Sequence, residues 1–252
     1  MIALHQVSDR DEIAAAAADL EGRHPHAVVR WALERFAGGR VAIVTGLQSE
    51  GMAVVDMAIA IDPDVRVVTI DTGRLPEATY RYLDMVREHY GRAIEIAFPD
   101  QALVAAMVNE HGANAFYSSP ERRLGCCHVR KVEPLERVLV TLDCWLTGLR
   151  RSHSRSRATT EVVEVDDEHG GVVKVNPLAS WSAAEVVAYL EAKDVPRHPL
   201  YAEGYRSIGC APCTRPVQAG EDPRSGRWWW ENGVDKECGI HGRPLLPAAR
   251  SA

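Results

Sequence analysis

Short, wholly apolar runs alternate along this chain with longer stretches in which apolar residues recur every three or four positions. Residues 14–20, rich in alanine, and 27–36 have helical periodicity, and Gly38-Gly39 is the expected C-cap of the second helix. Val41-Ala42-Ile43-Val44 is the apolar run of a buried strand. A polar turn, 45–51, leads into an apolar helix that runs to about residue 61. Residues 65–70 read as a second strand ending in Asp71-Thr72-Gly73-Arg74, and 76–90 as a helix with Pro76 at its start. A third strand over 94–97 and a helix over 103–111 follow. Beyond a cysteine pair, 132–140 is helical, and Trp145-Leu146 is a short strand running into Thr147-Gly148-Leu149-Arg150-Arg151. Residues 162–165 and 172–175 flank an acidic, glycine-containing turn and read as a hairpin. Ser182-Ala183-Ala184-Glu185 is a capping box that opens a helix to about residue 193. From residue 194 onward the periodicity fades, and Pro, Gly, Arg and Trp accumulate.

Strands alternating with helices of this length predict an α/β fold, a parallel twisted sheet with flanking crossover helices. We divide the chain into an α/β body, 1–205, and an irregular C-terminal tail, 206–252, which holds three of the cysteines. Ligands of such sheets sit beyond the carboxyl ends of the strands. The turns 45–51 and 71–74 are therefore candidate ligand loops on topology alone.

Composition narrows the function. No apolar run approaches the ~20 residues a membrane helix needs, and the N-terminal stretch lacks both parts of a secretion signal, so a cytoplasmic protein is expected. The net charge of −6 argues against a nucleic-acid partner. Against that acidic average, 122–131 and 150–157 are locally basic, which suits a confined anionic ligand as well as two solvated faces. Oligomeric state is not legible, and a homo-oligomer is compatible with the sequence.

Six cysteines carry the strongest signal: Cys126, Cys127, Cys144, Cys210, Cys213 and Cys238. In a reducing compartment, clustered cysteines point to metal binding or catalysis. Cys210-Ala211-Pro212-Cys213 alone suits a redox dithiol, half a zinc site or half a cluster site. Adjacent Cys126-Cys127 is poor zinc spacing, because zinc ligands normally lie two to four residues apart. A cubane presents irons at different corners, so neighbouring thiolates can each reach one, and four cysteines match the ligand count of a [4Fe-4S] cluster. Cys238 lies between Lys236 and His241, cationic neighbours that would raise its thiolate fraction. Cys144 precedes an apolar strand and reads as a small buried hydrophobe.

Four segments together carry a resemblance: residues 126–135 around Cys126-Cys127, Thr147-Gly148-Leu149-Arg150-Arg151, residues 208–216 around Cys210 and Cys213, and Glu237-Cys238-Gly239-Ile240-His241. Over residues 25–245 the chain resembles the assimilatory adenylyl-sulfate reductases of the phosphoadenylyl-sulfate reductase family, whose fold is similar to that of the PP-loop ATP pyrophosphatases. The resemblance implies one [4Fe-4S] cluster on Cys126, Cys127, Cys210 and Cys213. It implies that Cys238 attacks adenylyl sulfate to form an S-sulfonate, with thioredoxin or glutaredoxin as the electron donor. Lys131 would link cluster to substrate. Arg150, Arg151, Arg157, Arg224, Arg227 and His241 would hold the anion, because the planar guanidinium suits sulfate and phosphate oxygens. Ile70, Thr72, Gly73 and Gly148 would meet the adenosine, and Thr45 and Ser49 would offer hydroxyls beside a helix N-terminus. Two positions depart from the family pattern. Gly51 stands where an acidic residue is usual, and His153 where glutamine is commoner. The 3′-phosphorylated substrate, alone or alongside adenylyl sulfate, is the nearest alternative. A PP-loop ATP pyrophosphatase or nucleotidyl transferase predicts a Ser-Gly-Gly loop that this sequence lacks. A binding module built on a four-cysteine metal site leaves the Cys238 segment without a role.

Overall fold

The computed structural model describes residues 9–38, 40–154, 157–231 and 240. In chain order the helices and strands are α1 (Arg10–Leu20), α2 (Pro25–Arg35), β1 (Val41–Val44), α3 (Ser49–Ile61), β2 (Arg66–Ile70), α4 (Glu77–Tyr90), β3 (Glu95–Ala97) and α5 (Gln101–His111). Then come α6 (Pro120–Cys127), a π-helical turn (His128–Val132), α7 (Glu133–Leu139), β4 (Cys144–Leu146), β5 (Val163–Asp166), β6 (Val172–Val175) and α8 (Ala183–Ala192).

The expected elements are all present, most with boundaries moved by a residue or two, but α1 begins four residues and α3 three residues earlier than expected. The clearest difference is at the end of α2. The helix stops at Arg35, and Phe36 rather than the glycine pair forms its C-cap. Phe36 is buried and packs edge-on against Trp31, at 6.0 Å between ring centroids. Tertiary packing therefore ends the helix before Gly38, whose positive φ of 108° serves the following turn.

The sheet order is β3-β2-β1-β4-β6-β5. All pairs are parallel except β5 with β6, the expected hairpin. Side chains alternate across the sheet. Val41 and Ile43 join one core while Ala42 joins the other, and Cys144 and Leu146 are likewise opposed by Trp145. One face is covered by α1–α4 and α8, and the other by α7 through Leu135, Val138 and Leu139. The chain steps outward from β1 to β2 and β3, then returns to pair β4 on the other side of β1. That reversal opens a crevice beyond the carboxyl ends of β1 and β4.

Residues 194–231 fold back onto the body. Ile208 N–H donates to Gln48 Oε1 (2.9 Å), Ala211 N–H donates to Arg74 O (2.8 Å), and Thr214 pairs with Arg227 in an antiparallel bridge. His198 anchors this return. Its Nδ1 accepts from Leu200 N–H (3.3 Å), so Nε2 carries the proton that faces Thr79 Oγ1 (3.0 Å). Burial pushes the imidazole down to about 4. The unfolded chain therefore binds the proton more readily between that value and the ordinary 6.5. Stability is fully present above pH 6.5 and falls as the solution is acidified toward pH 4. We expect thermal melts at pH 5 to lose about 1–2 kcal/mol relative to pH 7, and His198→Asn to flatten that dependence. An equal pH slope in the variant would assign the loss to other groups.

Candidate active site

A cavity of about 450 Å³ occupies the crevice. Its walls come from the loops after β1, β2 and β4, from α8 and from the returning segment 197–228. The β1 loop is held from several directions. Thr45 N–H donates to Val68 O (2.9 Å), and the Thr45 hydroxyl accepts from Leu47 N–H (2.9 Å). The first amide of α3, Ser49 N–H, donates to the Tyr201 hydroxyl (3.1 Å). Thr45 and Ser49 thus line the cavity, with the Thr45 hydroxyl already engaged in the turn.

Two glycines allow this packing. A Cβ on Gly148 would fall 2.7 Å from Gly51 N, and one on Gly51 would fall 2.0 Å from Thr45 Oγ1. The close approach at Gly148 is made by the α3 backbone, which brings the β4 loop against the helix N-terminus. Gly51→Ala is expected to destabilise the protein by about 1–3 kcal/mol through overpacking. An unchanged melting temperature would mean that Thr45 can swing aside freely.

Lys131, Arg150, Arg157, Arg224 and Arg227 all line the cavity, as do Arg197 and Arg206. Arg150 is tied down: its Nε and Nη2 donate to Glu50 Oε1 (3.1 and 2.9 Å), and Nη1 donates to Ser152 Oγ (2.6 Å). Against burial, which raises it, the His153 hydrogen bond and the Arg150 charge hold the Glu50 carboxyl below the usual carboxylate range. Arg227 stacks over Trp228 at 4.5 Å, and Gly209 leaves room for its guanidinium. Arg151 points elsewhere. It forms a two-bond pair with Glu21 (2.7 Å each) and donates to Thr160 O (2.8 Å), outside the cavity lining.

From the β2 loop, Ile70 and Thr72 reach the cavity. The Thr72 carbonyl accepts from Arg130 Nη1 (2.7 Å). Gly73 is left-handed, with φ at 68°, and faces Arg130 rather than the cavity.

Cys126, Cys127, Cys210 and Cys213 line one small void, walled by Arg74, Phe116, Arg123, Arg130, Lys131 and Pro212. The adjacent pair ends α6, and the π-helical turn that follows carries Arg130 and Lys131 into the same region. Lys131 lines both the void and the cavity. The Thr72 hydroxyl lies 3.2 Å from Cys210 Sγ. Burial raises the Cys210 thiol, but Lys131, Thr72, Arg227 and Arg130 outweigh it and hold it below the ordinary range. Burial and the neighbouring Cys210 push Cys213 up to about 11, and burial also raises Cys126. Among the described residues, no three His, Cys, Asp or Glu groups are placed to hold a single metal ion. Four cysteine thiols outside any disulfide around a shared void, with cations beside them, fit the donor number and type of a cubane cluster better than a mononuclear site. Cys144 is fully buried in the sheet, as a packing residue. Trp228 packs against the cysteines while Trp229 is exposed.

Cys238 and His241, with Lys236, lie outside the described residues. Ile240 is described. It lines the cavity and packs against the cluster that includes Ala42, Val68 and Trp145.

Residues 40–216 match the family model described as the phosphoadenosine phosphosulfate reductase domain. The chain belongs to that family. It is 46% identical over 213 residues to the adenosine 5′-phosphosulfate reductase of Burkholderia cepacia, covering 84% of this chain and 85% of the relative. It is 44% identical to the protein of that name from Allochromatium vinosum, covering 84% and 82%. Among solved structures, the phosphoadenylyl-sulfate reductase of Candida auris in a phosphate complex superimposes with a TM-score of 0.69 at 27% identity, over 82% of this chain and 98% of that one. The fold alone is shared with yeast FAD synthetase, at a TM-score of 0.53 and 12% identity.

Within this phosphoadenosine phosphosulfate reductase domain, sequence reasoning missed Gln48, Glu50, Tyr201, Arg197 and Arg206, all of which line the cavity. Gln48 and Glu50 lay inside a candidate loop, so their neighbourhood was signalled. Tyr201, Arg197 and Arg206 lie in an aperiodic segment, and only its fold back over the crevice brings them there.

Proposed function

We propose that the chain is a cytoplasmic adenylyl-sulfate reductase of sulfate assimilation, which releases sulfite and AMP with thioredoxin as donor. The observation that carries this reading is Lys131, which belongs both to the cation-lined cavity and to the four-cysteine void. Relatives at 39–46% identity are named for adenosine 5′-phosphosulfate, which favours that substrate over its 3′-phosphorylated form.

In the proposed reaction the Cys238 thiolate attacks the sulfur of adenylyl sulfate. A sulfur–sulfur bond forms, the bond from sulfur to the bridging oxygen breaks, and AMP leaves with the electron pair. A thioredoxin thiolate then attacks Cys238 Sγ, expelling sulfite and forming a mixed disulfide. The second thioredoxin thiol resolves that disulfide, so the dithiol supplies both electrons and Cys238 is regenerated. Lys131, Arg157, Arg224 and Arg227 offset the charge of an anion attacked by an anion, an electrostatic role that is strongest in a partly desolvated cleft. Ile240, two residues after Cys238 in the sequence, lines the cavity wall, which supports a nucleophile acting at this site. When bound by Cys126, Cys127, Cys210 and Cys213, the cluster supplies a fixed charge centre that orients Lys131.

The decisive test is sulfite release by anaerobically purified protein with thioredoxin, from adenylyl sulfate and from its 3′-phosphorylated form. Sulfite from the first at a rate at least tenfold above the second is expected. Sulfite from neither, with iron and sulfide at full complement, overturns the reading.

A further inference from the structure

His153 sits between an anion and a cation in a way that leaves its ring one arrangement. Its Nε2 lies 3.0 Å from Glu50 Oε1. Its Nδ1 lies 3.3 Å from Arg150 N and 3.2 Å from Arg157 Nη1. A backbone amide and a guanidinium only donate, so Nδ1 must present a lone pair to both, and the proton must sit on Nε2, donated to Glu50. The charged groups facing the ring are Glu50 from α3 and Arg150 and Arg157 from the loop after β4. Burial, the largest influence on the ring, lowers its proton affinity, in keeping with a neutral imidazole. The carboxylate polarises the ring and strengthens Nδ1 as an acceptor. Glu50 is itself held by Arg150, so the chain Arg150–Glu50–His153–Arg157 is anchored at its buried end and open at the cavity.

We propose that His153 is a positioning residue for ligand binding: fixed by Glu50 as the Nε2–H tautomer, it holds the Arg157 guanidinium against the cavity wall where the ligand's anionic end docks. That the ligand is adenylyl sulfate rests on the function proposed above. Glutamine can copy the arrangement, donating an amide N–H to Glu50 and accepting from Arg157 through Oε1. Leucine fills similar space and can do neither.

The test is equilibrium binding of adenylyl sulfate to the cluster-loaded protein in a Cys238→Ser background, which blocks turnover. His153→Leu is expected to raise Kd about tenfold, the weight of one charge-assisted hydrogen bond, and His153→Gln no more than about threefold. Arg157→Ala is expected to raise Kd at least tenfold, and His153→Leu to add nothing to it, because both remove one interaction. Additive losses, or a glutamine variant as weak as the leucine variant, overturn the proposal. If the Cys238→Ser parent binds no adenylyl sulfate, the substrate assignment fails, and nitrogen-15 NMR of the His153 ring decides the positioning role. An unprotonated Nδ1 whose resonance shifts in Arg157→Ala supports it. A protonated Nδ1, or a resonance indifferent to Arg157, overturns it.

Discussion

Cys238→Ser is expected to lower sulfite release from adenylyl sulfate by on the order of 10³-fold or more, leaving adenylyl sulfate binding within a few-fold. A serine hydroxyl at neutral pH is a far weaker nucleophile than a thiolate. It cannot form the sulfur–sulfur bond whose later cleavage by a dithiol releases sulfite. Losing one nucleophile should therefore remove the chemistry without touching the cations of the cavity, which lie on the body and on the segment ending at Trp228. Single-turnover mass spectrometry adds a direct check: the parent chain gains a sulfonate on incubation with adenylyl sulfate alone, and the variant does not. A variant that keeps sulfite release would leave Cys238 without a catalytic role and move the nucleophile elsewhere.

The second large effect is expected at the cysteine void. Cys126→Ser should cost the protein most of its iron and sulfide and lower sulfite release at least ~10²-fold, while far-ultraviolet circular dichroism stays unchanged. The prediction rests on four cysteine thiols, none in a disulfide, lining one void, with Cys126 the most exposed of them. Serine is close to isosteric with cysteine, so the packing cost at this half-buried position is small, but its hydroxyl is a poor ligand for a soft iron site. On the proposed function, loss of the cluster would also disturb Lys131, which lines both the void and the cavity. Cys144→Ala is the contrasting case. That sulfur is buried in the sheet away from the void, so iron content should hold while stability falls by about 1 kcal/mol. Full activity in Cys126→Ser preparations that contain no iron would remove the cluster from catalysis altogether.

Much of this molecule was legible in one dimension, because the signals are local. Val41-Ala42-Ile43-Val44 is apolar on both faces, and the strand it forms is buried on both faces at the centre of the sheet. The capping box at Ser182 and Glu185 predicts the start of α8, and both of its reciprocal bonds are present. The loops after β1 and β2 were singled out as ligand loops by strand order alone, and both line the cavity. The four cysteines were grouped by residue type and spacing, and they share a void.

Local pattern could not say where long side chains point. Arg150 and Arg151 are adjacent in sequence and of identical chemistry, yet one faces Glu50 at the cavity and the other faces Glu21 on the outside. Successive residues leaving a strand diverge, and only the packing of α1 and α3 against that loop decides which carboxylate each meets. Gly73 and Gly148 are both expected beside the adenosine, yet Gly73 faces Arg130 outside the cavity lining, while Gly148 lines the cavity with the α3 backbone packed close against it. Tyr201 and Arg206 had no periodic or motif signal at all, since their place in the wall depends on the chain returning from α8 across the crevice. The sequence by itself determined the strand and helix periods, the switch to an aperiodic tail and the set of thiols, all properties set within a few residues. The tertiary structure decided which cations share the cavity, that Lys131 serves both cavity and void, and that His153 has one tautomer. These depend on groups distant in the chain meeting at hydrogen-bond range, where the directionality of donors and acceptors leaves few arrangements.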